Sequence, residues 1–65
     1  MSTLVADLNA EIDRALELAH CYELAGGNLS APIIRQEVEY ARAAMRAGDV
    51  LAMRHWLKSL KGFQQ

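Results

Sequence analysis

The sequence predicts an all-α fold, an antiparallel helical hairpin with a short third helix, which dimerises into a helical bundle. Three observations predict it. Apolar residues make up 52% of the 65 residues and recur at spacings of three and four. Eleven residues are alanine, the strongest helix former. Glycine residues separate three such apolar segments, and none of the segments alternates with the two-residue period of a strand.

The first predicted helix covers residues 4 to about 25. We expect Thr3 or Ser2 to cap its start, and Gly26 and Gly27 to end it. Its apolar seam has spacings of 3, 4, 3, 4 and 3 and consists of Val5, Leu8, Ile12, Ala15, Ala19 and Tyr22. The opposite, solvated side carries Asp7, Asp13, Arg14, Glu17 and His20.

The second predicted helix covers residues 31–47. Ser30 is expected to cap it, and Leu29 and Ile34 to pack across the cap as a hydrophobic staple. One apolar stripe consists of Ile34, Val38, Ala41 and Met45, and a second of Ile33, Tyr40, Ala44 and Ala47. On a solvated edge, Arg35 and Glu39 are four residues apart, which predicts a weakly stabilising ion pair.

The third predicted helix covers residues 50–61. Gly48 is expected to end the second helix, Asp49 to cap the third, and Gly62 to end it. The inner seam of this helix consists of Val50, Met53, Leu57 and Leu60. The short links between helices predict antiparallel neighbours.

The small size predicts self-association, because a domain of this length buries only about 60% of the surface of its unfolded chain. The one cysteine cannot form an internal disulfide, and no Cys and His spacing fits a zinc finger. One short helix is not expected to cover two broad apolar faces, so we expect a homodimer. Its shared core is predicted to consist of Leu8, Ile12, Val38 and Met45.

The net charge of −1 is unevenly distributed along the chain. Residues 1–30 carry −4 and residues 31–65 carry +3, so the two halves are expected to attract each other. No apolar run approaches the ~20 residues of a membrane span, and the first residues lack the features of a secretory signal. We therefore expect no membrane partner, a cytoplasmic location and, from the initial methionine, a complete small open reading frame. Five arginines against two lysines suggest a bacterial or phage genome.

No catalytic, cofactor or metal signature is recognised in the sequence. Glu17 and His20 have the Glu-x-x-His spacing of half a di-iron site, but both are predicted to face away from the apolar seam. Cys21 is expected to be a partly buried structural thiol rather than a nucleophile. The glycine pair follows a helix rather than a strand and lacks the Lys-Ser/Thr of a phosphate loop. The sequence thus favours a protein that is not an enzyme.

The third helix carries the predicted functional surface. It combines basic side chains with a tryptophan at the edge of the seam, residue types that are enriched in interaction hot spots. The predicted partner-binding residues are Leu51, Arg54, His55, Trp56, Lys58 and Lys61. We expect a small bacterial or phage regulator or inhibitor that docks on a larger protein and blocks it. Whether Trp56 belongs to the core, a self-interface or a partner site stays open at this stage.

The alternative is a small DNA-binding regulator in which the second and third helices form a helix-turn-helix. Arg54, Lys58 and Lys61 lie on one face and would contact phosphates. Against it, the chain is not basic overall, and Arg54 stands where that motif usually has an apolar residue. Asp49 would also bring negative charge to the helix start that approaches DNA.

Overall fold

The computed structural model describes residues 3–26 and 29–63. Every regular element within these ranges is an α-helix: α1 spans Leu4–Leu24, α2 spans Ser30–Ala47 and α3 spans Val50–Lys61. Each helix packs against the other two. Among the described residues, no helix combines the length and the apolar character needed to cross a membrane. The all-helical fold with three packed helices is therefore confirmed.

One core lies between the three helices. Its fully buried large side chains come from all of them: Leu8 from α1, Ile34 and Val38 from α2, and Leu60 from α3. The small buried side chains of this core are alanines: Ala15, Ala19, Ala31, Ala41 and Ala44. The predicted seams are correct at their centres and wrong at their ends, since Val5 and Val50 are each about half exposed. Helix ends have fewer neighbours to cover them than helix centres.

The residues predicted at a dimer interface lie elsewhere. Leu8, Ile12 and Val38 are buried inside the core of a single chain, and Met45 is partly buried against that core. The packing of α3 against both other helices covers the faces that the sequence led us to assign to a second copy. A surface for self-association has to be sought among the exposed residues.

The ends of α1 follow the sequence in part. The Thr3 side chain accepts a hydrogen bond from the Ala6 amide at 3.0 Å, so the predicted cap is present. At the other end the helix stops at Leu24, and Gly26 has a left-handed φ of +100°, which glycine adopts without strain. The predicted role of Gly27, and Ser2 as the alternative cap, lie outside the described residues.

The start of α2 differs from the prediction. Ser30 is the first residue of the helix, so the cap position falls on Leu29, which has no side-chain acceptor to offer. Leu29 is also 81% exposed, whereas Ile34 is buried, so the two do not form a hydrophobic staple. Sequence signals at this turn identified the helix start within one residue but not the cap.

In the turn between α2 and α3, Gly48 ends the first helix and Asp49 caps the second. Gly48 adopts a left-handed φ of +67°, and the Gly48 and Asp49 amides donate to the Met45 and Ala44 carbonyls, the Schellman pattern. The Asp49 side chain then accepts a hydrogen bond from the Ala52 amide at 3.1 Å and caps α3. This turn fixes where α3 leaves α2, as the glycine and aspartate predicted.

Arg14 closes the opposite end of α3. Its guanidinium donates to the Leu60 carbonyl at 2.8 Å and to the Phe63 carbonyl at 2.9 Å, while its Nε bonds Glu11 at 2.8 Å. The last carbonyls of a helix have no partner within the helix, so a cation is favourable there. Arg14 is exposed, as the sequence predicted, but these contacts with the end of α3 were not predicted. Gly62 follows α3 in a right-handed conformation.

The ion pairs formed by Arg35 and Glu39 differ from the predicted one. Arg35 pairs with Glu23 across α1 and α2 at 2.6 Å rather than with Glu39, which instead pairs with Arg42 at 2.8 Å. The hydrogen bond from Arg35 lowers the pKa of the Glu23 carboxyl below its ordinary value. Because the folded pKa is lower than the unfolded one, the pair supports folding above the unfolded pKa. That support is lost as the pH falls through the folded pKa.

Candidate docking surface

The outer face of α3 carries a continuous row of exposed side chains, which we call the α3 stripe: Leu51, Arg54, His55, Lys58 and Lys61. Their spacings of 3, 1, 3 and 3 place them on one side of the helix. Leu51 begins the row and is 80% exposed, although it is a large apolar residue. The inner side of the same helix holds Met53 and Leu60 in the core. The helix is therefore fixed from within and leaves the stripe open to solvent.

The cations of the α3 stripe have no carboxylate partner in the part of the chain that the structure describes. Arg14, Arg35 and Arg42 each form an ion pair, whereas Arg54, Lys58 and Lys61 form none. Apart from Asp49 at the cap of α3, the acids of the described residues lie on α1 and α2. The α3 helix itself contains no acidic residue. The stripe is thus a surface of uncompensated positive charge beside an exposed leucine.

Trp56 lies between the core and the surface. It is partly buried, packs against the core cluster and stacks on the Tyr40 ring, with centroids 5.1 Å apart and planes at 28°. His55 meets it edge-on, with centroids 4.6 Å apart and planes at 84°. Both are favourable aromatic arrangements. The rings connect α2 to α3 and place the outer edge of the indole next to His55 of the α3 stripe.

A polar contact beside the aromatic rings was not predicted from the sequence. The Ser59 hydroxyl donates to a Glu37 carboxylate oxygen across α2 and α3, and both residues are partly buried. The sequence showed Glu37 only as an interruption of the second apolar stripe of α2. A lone acid within an apolar stripe is the available signal for such a contact, because a partly buried carboxylate requires a donor.

The sequence also drew attention to three residues of α1 that could take part in metal binding or nucleophilic chemistry. Glu17, His20 and Cys21 are all exposed on α1, so the expectation of a partly buried Cys21 was wrong. Cys21 lies just outside the seam because neighbouring helical residues diverge by about 100°. Within residues 3–26 and 29–63, no three His, Cys, Asp or Glu side chains are grouped to hold a metal ion.

Five of the six predicted partner-binding residues are exposed together, and the sixth, Trp56, is partly buried beside them. This arrangement has no nucleophile paired with a base. What it offers is apolar contact at Leu51 and Trp56, flanked by cations that attract an acidic surface. Comparisons with protein-family models, with curated proteins and with solved structures returned no match for the chain.

Proposed function

We propose that the protein is a small non-catalytic binding module, a bacterial or phage regulator or inhibitor, that docks on a larger protein and blocks the surface it covers. One observation carries the proposal: the α3 stripe joins an exposed leucine to three cations that lack internal partners within the described residues. The exposed leucine contributes little to the stability of a single chain, and the three cations form no ion pair within the described residues. Both gain free energy when an acidic, partly apolar groove covers them.

The packing supports a rigid presentation of the stripe. In the proposed arrangement α1 and α2 form an antiparallel hairpin, supported by the Glu23–Arg35 pair beside the turn that joins them. The turn at Gly48 holds the start of α3, and Arg14 holds its end. A rigid surface loses little conformational entropy on binding, so more of the contact energy remains for affinity.

The side chains of the surface have different roles in the proposed complex. Leu51 and the outer edge of Trp56 enter an apolar pocket and provide most of the binding energy, as anchors near an interface centre do. Arg54, Lys58 and Lys61 lie around them and steer the approach of the acidic partner. Occlusion of the partner's own binding groove then explains inhibition without any catalytic group.

The experiment compares capture of a partner by matched variants. The immobilised wild-type chain is exposed to a bacterial lysate, and the retained protein is identified and its affinity measured. We expect Leu51→Ala and Arg54→Ala each to lower the affinity about fivefold or more. Leu24→Ala and Arg42→Ala are the controls, since Leu24 is 74% exposed and Arg42 is an exposed arginine, both away from α3. Equal retention by all four variants would contradict the proposal.

DNA binding is the second candidate, and the same three uncompensated cations favour it. If Arg54, Lys58 and Lys61 each neutralise a phosphate, the logarithm of the binding constant for random duplex DNA should fall with the logarithm of the salt concentration with a slope of about −3. The measurement is a salt titration monitored by fluorescence anisotropy of labelled DNA. Absence of binding at low salt excludes this candidate and leaves protein docking.

A further inference from the structure

The outer face of α2 carries a second exposed row, which we call the α2 stripe: Ile33, Gln36, Tyr40, Ala43 and Ala47. Its spacings of 3, 4, 3 and 4 are those of the a and d positions of a coiled coil. Four of the five side chains are apolar, and Ile33 and Tyr40 are each about half exposed. The fifth, Gln36, donates a hydrogen bond to the Tyr40 hydroxyl at 2.9 Å, so its amide is already partly satisfied. The core uses the opposite face of the same helix.

We infer that a second copy of this chain covers the α2 stripe, in a twofold dimer whose two α2 helices pack antiparallel. The stripe fits itself in this orientation because its large residues lie in one half and its alanines in the other. With the twofold axis between Ala41 and Arg42, Tyr40 lies over the partner's Ala43 and Gln36 over the partner's Ala47. Tyr40 and Gln36 each then meet an alanine, which lets the two helices approach closely, while Ile33 extends beyond the end of the partner's α2.

Charge selects the same register. Glu39 and Arg46 lie on one flank of the α2 stripe, and Arg46 has no ion pair among the residues that the structure describes. In the proposed dimer Glu39, which pairs with Arg42 of its own chain, also comes close to the partner's Arg46, and the symmetry produces this second contact twice. A shift of the axis by one turn toward Val38 would instead bring the two Glu39 side chains together, which is unfavourable.

The α2 stripe and the α3 stripe share no residue, although Tyr40 of the α2 stripe stacks on Trp56 beside the α3 stripe. Dimerisation leaves Leu51 and Arg54 exposed on both copies. A contact made by one face of one helix lies at the small end of specific interfaces, so the dimer should be weak and dependent on concentration.

The inference is tested with two charge-reversed variants, measured separately and then mixed. Sedimentation of the wild-type chain over about a hundredfold range of concentration should show a monomer giving way to a dimer. Glu39→Arg and Arg46→Glu should each weaken self-association about tenfold, because each places two pairs of like charges across the axis. An equimolar mixture of the two variants should regain the wild-type affinity as a heterodimer, since both ion pairs are then restored, one in the wild-type orientation and one with its charges exchanged.

Two further variants identify the surface involved. Ala43→Glu places an unpaired charge under the partner's Tyr40 and should abolish the dimer, while circular dichroism shows that helicity is retained. Arg54→Glu makes the same charge change as Arg46→Glu on the α3 stripe and should leave the dimer intact. A wild-type chain that stays monomeric throughout, a mixture that fails to recover, or loss of the dimer on Arg54→Glu would each overturn the inference.

Discussion

Leu60→Ala should destabilise the protein by about 3 kcal/mol. Leu60 is fully buried, and in α3 only Met53 is buried to a similar degree. The substitution removes apolar contact and leaves a cavity between α3 and the other two helices. A domain of this size has a total stability of roughly 3 to 5 kcal/mol, so a large fraction of the variant should be unfolded at 25 °C. Urea unfolding monitored by circular dichroism measures the change.

Leu51→Ala is the matched control, since it makes the same chemical change in the same helix. Leu51 is 80% exposed, so its truncation should change the free energy of unfolding by no more than about 0.5 kcal/mol. The two leucines therefore separate the two faces of α3: we expect Leu60 to act on folding and propose that Leu51 acts on docking. Equal destabilisation by both substitutions would mean that α3 packs through a different face from the one described.

The helices could be predicted closely because their signals are local. Thr3 and Asp49 are side-chain caps, Gly48 takes a left-handed conformation, and apolar spacing identifies the buried face of each helix. Each of these signals acts within a few residues, so a single sequence contains it. The error at Ser30 has the same origin, because a one-residue shift of the helix start moves the cap to Leu29.

Tertiary contacts were predicted less well because they join residues that are far apart in the chain. Nothing near Arg14 in the sequence points to the carbonyls of Leu60 and Phe63, and nothing near Glu37 points to Ser59. The predicted dimer residues failed for a related reason. Apolar periodicity identifies a face that is buried, but not whether the covering element belongs to the same chain or to another. The packing of the three helices on one another buries Leu8, Ile12 and Val38 within a single chain.

The exposure of the α3 stripe was predicted better than the tertiary contacts because the stripe lies on one helix, while its role in binding stays a prediction. Side chains at spacings of three and four on α3 share a face whatever the rest of the fold does. The structure adds the stacking of Trp56 on Tyr40, which no local pattern contains. It also adds the finding that, within the described residues, the α3 cations lack internal partners, which distinguishes them from the paired Arg35 and Arg42.

Arg14→Ala should lower the free energy of unfolding by about 1 to 2 kcal/mol. Hydrogen bonds from a charged group contribute about 1.5 to 3 kcal/mol, and we reduce this because the Arg14 side chain is 42% exposed. The substitution removes two donors, one to the Leu60 carbonyl in the last turn of α3 and one to the Phe63 carbonyl just beyond the helix. Hydrogen exchange should therefore accelerate in the last turn of α3 more than in the first turn, which Asp49 still caps.

Arg14→Lys distinguishes the geometry of the contact from its charge. A lysine keeps the positive charge near the negative end of the helix dipole but has no planar fork to reach two carbonyls at once. We expect it to recover about half of the lost stability. Arg42→Ala, which breaks an exposed ion pair within α2, should cost no more than about 0.5 kcal/mol and serves as the control. Full recovery of stability by Arg14→Lys would show that charge alone stabilises the end of α3. An Arg14→Ala variant as stable as the wild type would show that Arg14 does not contribute to the stability of the fold.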